Sequence, residues 1–327
     1  MSHTLIVLPD DSAQPLVDAL TSARTSLRIR LSLSADPTLQ DAVLAARRRG
    51  VDVRVMLNPA KGSEKAASEV LRRALESAGA EVIEGNPDFA VTRQKSLIVD
   101  DALGIVEAID WEARKLPKTR DYALATRHRH EVEEMAAGFD AEWHRKRFTP
   151  AADSRLVWCP DNGRVRIAQF IEAAKHTLFV QNERYQDSVI VERLLRAAHR
   201  GVAVHLLARV PRKGTLAEIV DSVGGLRILA DVGIKVHTLK GLKLRGKMLL
   251  ADDKRAIVGS INLAPGVFDA RRELAIETDE PAVVKRLART AKHDWADSHR
   301  IDLSDEALRR EIERRAERDA AKAQSKS

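Results

Sequence analysis

The chain repeats itself. LIVLPDD (Leu5–Asp11) aligns with LVWCPDN (Leu156–Asn162) at an offset of 151, and the stretches ending in Gly50 and Gly201 align at the same offset. From there the spacing grows by one. NPAKGS (Asn58–Ser63) aligns with VPRKGT (Val210–Thr215) at 152, TRDYAL (Thr119–Leu124) with RRELAI (Arg271–Ile276), and Trp143 with Trp295. A near-constant offset over so many sites makes the chain a fused duplication, so whatever fold the first copy adopts, the second must adopt too. The copies run from 1 to 150 and from 151 to 303, joined near RKRFTPAADSR. Residues 304–327 are highly charged, with a narrow stripe of Leu308, Ile312, Ala316 and Ala320, and read as a C-terminal helix and tail.

Within each copy, short β-branched or apolar runs alternate with helical spacing. LRIRLSL and TLFVQN read as strands. DPTLQDAVLAARRRG and DSVIVERLLRAAHRG read as helices stopped by glycine. The expected class is α/β, built as a tandem duplication. The 327 residues carry a formal charge of +7 and a pI near 9.6, which favours anionic partners without choosing among phosphates, nucleic acid and an anionic membrane surface. Aromatic residues make up only 4%, which argues against a base-stacking surface. Cys159 is the only cysteine, so neither an intramolecular disulfide nor a cysteine-based zinc site can form within the chain, and a reducing cytoplasm is expected. No apolar run approaches the ~20 residues that span a bilayer, and no secretory leader is evident, so membrane contact would be peripheral.

The chemistry lies in a motif present twice. TRQKSLIVDD (Thr92–Asp101) and LRGKMLLADD (Leu244–Asp253) both read Arg-x-Lys, four mostly apolar residues, then paired aspartates. In the second copy a Gly259-Ser260-Ile261-Asn262 turn follows, and Glu273 opens the next strand. Lysine, serine, asparagine and a glycine that admits close backbone approach are phosphate donors. The first copy has Glu107-Ala108-Ile109-Asp110 where the second has the glycine turn, and Asp121 where the second has Glu273.

This layout resembles the phospholipase D superfamily, whose motif is His-x-Lys-x₄-Asp followed by a Gly-Ser/Thr-x-Asn turn, present in two halves that share one site. Bacterial phospholipase D-like and cardiolipin synthase-like proteins are the nearest in pattern. The resemblance implies a pseudo-two-fold arrangement of two α/β halves with both motifs at their interface. It also implies phosphodiester hydrolase or transferase chemistry without a metal or cofactor: one histidine attacks phosphorus, the other protonates the leaving group, and an acid at the position of Asp121 or Glu273 orients a histidine. Here Arg93 and Arg245 stand at both histidine positions, and the ten histidines lie elsewhere. A guanidinium stays protonated, so it neither attacks phosphorus nor shuttles protons, but it is a strong bidentate ligand for phosphate.

The expectation is therefore an anion site made of Arg93, Lys95, Arg245, Lys247, Ser260 and Asn262, with Lys61 and Lys213 from the repeated loop before a helix as further donors. Asp121 and Glu273 are expected to pair with Arg93 and Arg245, and Asp100 and Asp252 to be structural acids of the motif. Were the site active, Lys95, Lys247, Asp121 and Glu273 would carry the chemistry, with Glu107 and Asp110 as further candidates. Three readings stay open: a protein that binds a phospholipid headgroup, a nucleotide or another phosphodiester without phosphohistidine chemistry; an enzyme with a non-histidine mechanism; and a nucleic-acid-binding module.

Overall fold

The computed structural model describes residues 2–31, 36–58, 65–209 and 216–324. In the first half the elements are β1 (His3–Leu8), α1 (Gln14–Ser22), β2 (Ser26–Leu31), α2 (Pro37–Arg48), β3 (Asp52–Leu57), α3 (Lys65–Ser77), β4 (Glu81–Glu84), β5 (Val91–Thr92), β6 (Lys95–Val99), β7 (Leu103–Glu107), β8 (Thr119–Thr126) and α4 (Arg129–Trp143). In the second they are β9 (Leu156–Cys159), α5 (Gly163–Glu172), β10 (Thr177–Gln181), α6 (Ser188–His199), β11 (Ala203–Leu207), α7 (Leu216–Asp231), β12 (Lys235–Leu239), β13 (Lys243–Leu244), β14 (Lys247–Ala251), β15 (Arg255–Gly259), α8 (Pro265–Ala270), β16 (Arg271–Thr278), α9 (Pro281–Ala296) and β17 (Ser298–Arg300), followed by α10 (Asp305–Gln324).

The duplication is visible in the strand order. One sheet runs β1-β8-β7-β6-β2-β3-β4 and the other β9-β16-β15-β14-β10-β11-β12, with β17 beyond its edge. Local sequence explains the shared pieces. Asp36 and Asp187 cap α2 and α6 by accepting from Leu39 N and Ile190 N at 3.0 and 3.1 Å. Gly50 and Gly201, just past those helices, take φ of +90° and +87°, the left-handed conformation glycine adopts without steric cost.

The central strands are buried on both faces, and their residues alternate between two cores. In β6 and β8, Leu97, Val99 and Ala123 face the first half's own helices, while Ile98, Tyr122 and Leu124 face a central core. In β14 and β16, Leu249, Ala251 and Ala275 face the second half's helices, while Met248, Leu250, Leu274 and Ile276 enter the same central core. The two sheets thus close over a shared apolar layer, which α4 and α9 complete through Val132, Phe139, Val284 and Leu287. Cys159 is fully buried and reduced within the second half's core.

Each half lends a two-residue strand to the other's sheet. β13 pairs in parallel with β8, Lys243 opposite Thr119 and Leu244 opposite Arg120. β5 pairs in parallel with β16, Val91 opposite Arg271 and Thr92 opposite Arg272. The exchange continues in the backbone: Arg93 N and Gln94 N donate to Arg272 O at 2.9 and 3.0 Å, and Arg245 N and Gly246 N donate to Arg120 O at 3.0 and 2.9 Å. Corresponding residues on opposite halves making the same contacts is the mark of a two-fold interface. It delivers both Arg-x-Lys segments to one place.

Two buried arginines pin that interface. Arg120 donates through Nε and Nη2 to Asp294 of α9 at 3.1 and 2.9 Å, and through Nη1 to Asp10 and Leu8 O. Arg272, its repeat equivalent, donates to Glu142 of α4 at 2.6 Å, to Asp161 at 2.5 Å and to Cys159 O. Each joins its own half's first-strand turn to the last helix of the other half. Among the described residues no helix is long and apolar enough to cross a membrane.

Candidate anion-binding site

Lys95 and Lys247 open β6 and β14 and are 7% and 6% exposed, so each ammonium must find partners inside the protein. Lys95 Nζ donates to Ala108 O at 3.2 Å and pairs with Asp110 at 3.0 Å. Lys247 Nζ donates to Arg245 O and to Glu183 at 2.8 Å. Arg245 crosses between the halves and forms an ion pair with Asp110 through Nη2. Glu183 also accepts from Arg209 at 2.7 Å. Asp110 thus bridges the lysine of one motif and the arginine of the other.

These pairings sort the acids by charge. Burial works against ionisation of Asp110, but Lys95 and Arg245 outweigh it and hold the carboxyl well below the usual range. Glu183 is likewise drawn down to about 2 by Lys247 and Arg245, against the effect of burial. Burial pulls the Lys95 ammonium down, and Asp110 more than restores it, so the lysine stays charged. Three other carboxyls go the opposite way. Burial pushes Asp121 up to about 6 despite Lys247 and Lys95. It pushes Glu107 up to about 7 against a hydrogen bond from Trp111 and the field of Lys95, and Glu273 up to about 7 against Ser260 and both lysines. The site thus sets Lys95, Arg245, Lys247 and Arg209 against the ionised Asp110 and Glu183, with three further carboxyls raised toward neutral pH by burial.

The two half-sites differ in the strand beside each lysine. Lys95 lies opposite Glu107 across β6–β7, and Glu107 lies opposite Ala123 on β8. In the second half, Lys247 lies opposite Gly259, and Gly259 opposite Ala275. Glu107 therefore stands on the strand between Lys95 and Asp121, with one carboxylate oxygen taken by Trp111 Nε1 at 3.0 Å and Oε1 buried without a partner. Gly259 puts no side chain there, and none would fit: a Cβ would meet Leu274 O at 2.3 Å.

Ser260 is buried and bound into β16, donating to Leu274 O at 3.2 Å and accepting from Leu274 N at 3.1 Å. Asn262 is half-buried with its Oδ1 unpartnered. Arg93 is exposed, and its side chain has no hydrogen bond or ion pair with the described residues. Lys61 and Lys213 lie outside the described residues. Two expectations need correcting. The four motif cations do not converge as a bare cluster, because Asp110 and Glu183 neutralise the interior ones and Arg93 points to solvent. Nor do Asp121 and Glu273 pair with the arginines: both are fixed in strands where burial favours the protonated form, and Arg245 instead takes Asp110, whose carboxylate is ionised.

Asp100 and Asp252 sit at the far ends of β6 and β14. Asp100 accepts from the amides of Arg24, Thr25 and Ser26 at 2.8–3.1 Å, and Asp252 from those of Lys175, His176 and Thr177 at 2.7–2.9 Å. Each ties a strand end to the turn that begins the neighbouring strand. Both residues adopt positive φ, +52° and +56°.

No histidine hydrogen-bonds or pairs with a site lysine, arginine or carboxylate among the described residues. His3 bonds Thr278 and Glu131 at 2.8 and 2.7 Å, and His205 and His237 pack against Trp295. No group of three or more histidine, cysteine, aspartate and glutamate side chains converges as a metal site among the described residues. Sequence reasoning missed Glu183 and Arg209. Neither has a repeat equivalent with the same chemistry; the one available signal is a polar QNER segment directly after the apolar run of β10.

Comparison with known proteins agrees with this architecture. The curated protein "Cardiolipin synthase B" of Salmonella typhimurium is 26% identical over 268 residues, covering 69% of this chain. The chain spans 63% of that relative's length. Among solved structures, phosphatidylserine synthase from Haemophilus influenzae superposes with a TM-score of 0.71 at 9% identity, covering 98% of this chain and 94% of that one. Polyphosphate kinase from Porphyromonas gingivalis superposes with a TM-score of 0.68 at 16% identity, covering 89% of this chain and 50% of that one. At these identities the superpositions establish the fold. The family profile described as "Cardiolipin synthase, PLD-like domain" matches twice, over residues 16–143 and 167–295, and the chain therefore belongs to this phospholipase D-like family as a tandem duplication.

Proposed function

We propose that this protein binds a phosphodiester, of the kind found in a phospholipid headgroup or nucleotide, in the site between its halves, and does not attack it through a phosphohistidine. The observation that carries this reading is Arg245: at the position where the family places a histidine, it is a guanidinium committed to Asp110, with Lys247 donating to its carbonyl. Such a group stabilises a phosphate's charge and has no lone pair with which to attack phosphorus. Arg93, the free N–H groups of Arg245 and Lys247, and Asn262 are the donors available to a ligand. Membership of a family with phospholipid-related enzymes, and likeness to proteins named as cardiolipin and phosphatidylserine synthases, support a phospholipid-type headgroup as the ligand class. Contact with a membrane would then be peripheral.

Titration calorimetry with a glycerophosphodiester tests this. Binding that weakens at least tenfold in Lys247→Ala and in Arg93→Ala is expected. Wild-type protein that binds neither this diester nor inorganic phosphate would overturn the reading.

A second reading, hydrolysis by a non-histidine route, is favoured by Glu107 and Glu273, which titrate near neutral pH beside the lysines. In that route a carboxylate takes a proton from water as its oxygen bonds to phosphorus. The ester P–O bond breaks, and the leaving alkoxide takes the proton of the second, protonated carboxyl.

A further inference from the structure

We infer that Asp110 is an internal occupant of the anion site: its carboxylate holds the place of a ligand oxyanion between Lys95 and Arg245, and an external anion binds there only by displacing it. The inference rests on the phosphate-binding reading above and specifies how that site is regulated.

The repeat supplies the argument. Asp110 stands where the second half has Asn262, and the offset of 152 that relates them also relates Lys95 to Lys247. An asparagine there can donate an N–H to an anion; an ionised aspartate only accepts. The carboxylate has taken up what an oxyanion would take. One oxygen lies 3.0 Å from Lys95 Nζ, and the other is bound by Arg245 Nη2 from the opposite half. The pair is mostly shielded from water, the Asp110 side chain being 14% exposed and that of Lys95 9%. Arg245 Nε is buried without a partner, so part of the guanidinium fork remains unsatisfied by the carboxylate.

The site is asymmetric as a result. In the second half Lys247 has its own acid, Glu183, which is also held by Arg209, and Asn262, half-buried with its Oδ1 unpartnered, is a neutral amide whose N–H groups can donate to an anion. At this repeat position a ligand oxyanion arriving between the halves meets a neutral amide on one side and a competing carboxylate on the other. Loss of that carboxylate frees two charge-assisted donors at once.

The test is the affinity of inorganic phosphate for wild type, Asp110→Asn and Asp110→Asn/Arg245→Ala, read by calorimetry and by phosphate-dependent melting. Asp110→Asn is expected to bind phosphate at least tenfold more tightly than wild type, with the gain lost when Arg245 is also removed. Should Asp110→Asn fold poorly, Lys95→Gln/Asp110→Asn removes the buried pair as a whole. It is expected to bind at least tenfold more tightly than Lys95→Gln, in which Asp110 still holds Arg245. Equal or weaker binding by the Asp110 variants, with clear binding by wild type, would overturn this inference and leave the phosphate-binding reading intact. Absence of binding in every protein, wild type included, would overturn both.

Discussion

Arg120 and Arg272 offer the sharpest check on how the two halves are joined. Replacing Arg120 with methionine keeps much of the side chain's volume and removes its charge. Asp294, 2% exposed, would retain the Gln181 amide at 2.9 Å and, farther off, His293 Nδ1 at 3.9 Å, and burial already pushes its carboxyl upward against Arg120 and Gln181. Breaking one side of such a buried pair costs about 3–5 kcal/mol. Arg272→Met differs in kind. Glu142 keeps Arg30 at 2.5 Å, which softens the electrostatic loss, but the guanidinium also lies over Trp158, Phe89 and Phe148 at 4.7, 4.9 and 5.5 Å. Cation–π contacts of this desolvated kind contribute roughly 1–2 kcal/mol, so the two variants should lose comparable stability by different routes. At about 2 °C per kcal/mol for a chain of this size, each should melt roughly 6–10 °C lower, and because they share no partner the losses should add. Arg120→Met/Asp294→Leu should regain most of the loss, since an apolar pair of similar volume is tolerated where a lone charge is not. Thermal melting by circular dichroism measures all of these, with Arg129→Ala, on the exposed pair with Glu133, as the control expected to leave the melting point unchanged. Single arginine variants that melt within a degree of wild type would refute the claim that these arginines pin the halves.

Other outcomes follow from the same geometry. Glu273 is raised to about 7 in the fold, so between its ordinary value of 4.5 and about 7 the native state keeps a proton that the unfolded chain has released. Stability should fall as pH rises through that window, by up to about 3 kcal/mol at roughly 1.4 kcal/mol per unit, and Glu273→Gln should flatten the decline in melting point between pH 5 and 7.5. Glu183 and Asp110 act in the opposite sense: their stabilisation is full above about pH 4.5 and is lost as pH falls below it. Asp252→Ala should destabilise by about 2 kcal/mol, through loss of charge-assisted bonds to three amides, while leaving phosphate affinity unchanged; a loss of affinity in folded protein would mean that this acid belongs to the site.

Much of this was legible from the repeat alone. A single offset aligned Arg120 with Arg272 and Lys95 with Lys247, and alternating strand and helix signals gave the α/β class. Burial along β6 and β14 follows from apolar runs with no polar face, which need a layer on each side. What the sequence withheld is the pairing across the halves. Asp110 and Arg245 are 135 residues apart, and nothing in the sequence says that Arg245 reaches Asp110 while Asp121 stays sealed within β8. The acids that receive Arg272 and Arg120 stand directly before the repeated tryptophans, as Glu142 and Asp294. Their roles became visible only once α4 and α9 were seen to reach into the opposite half. Glu183 lay beyond the repeat logic altogether, since it belongs to a loop in which the halves have diverged.

The claim that this site holds a phosphodiester without attacking it is tested most directly by mixing stoichiometric purified protein with bis(p-nitrophenyl) phosphate and following nitrophenolate release from the first turnover. The account predicts that the wild type binds the diester and that no nitrophenolate above buffer is released by the wild type, by Lys95→Ala or by Lys247→Ala. A burst of nitrophenolate from the wild type that vanishes in either lysine variant would contradict it and place the chemistry in Glu107, Asp121 and Glu273.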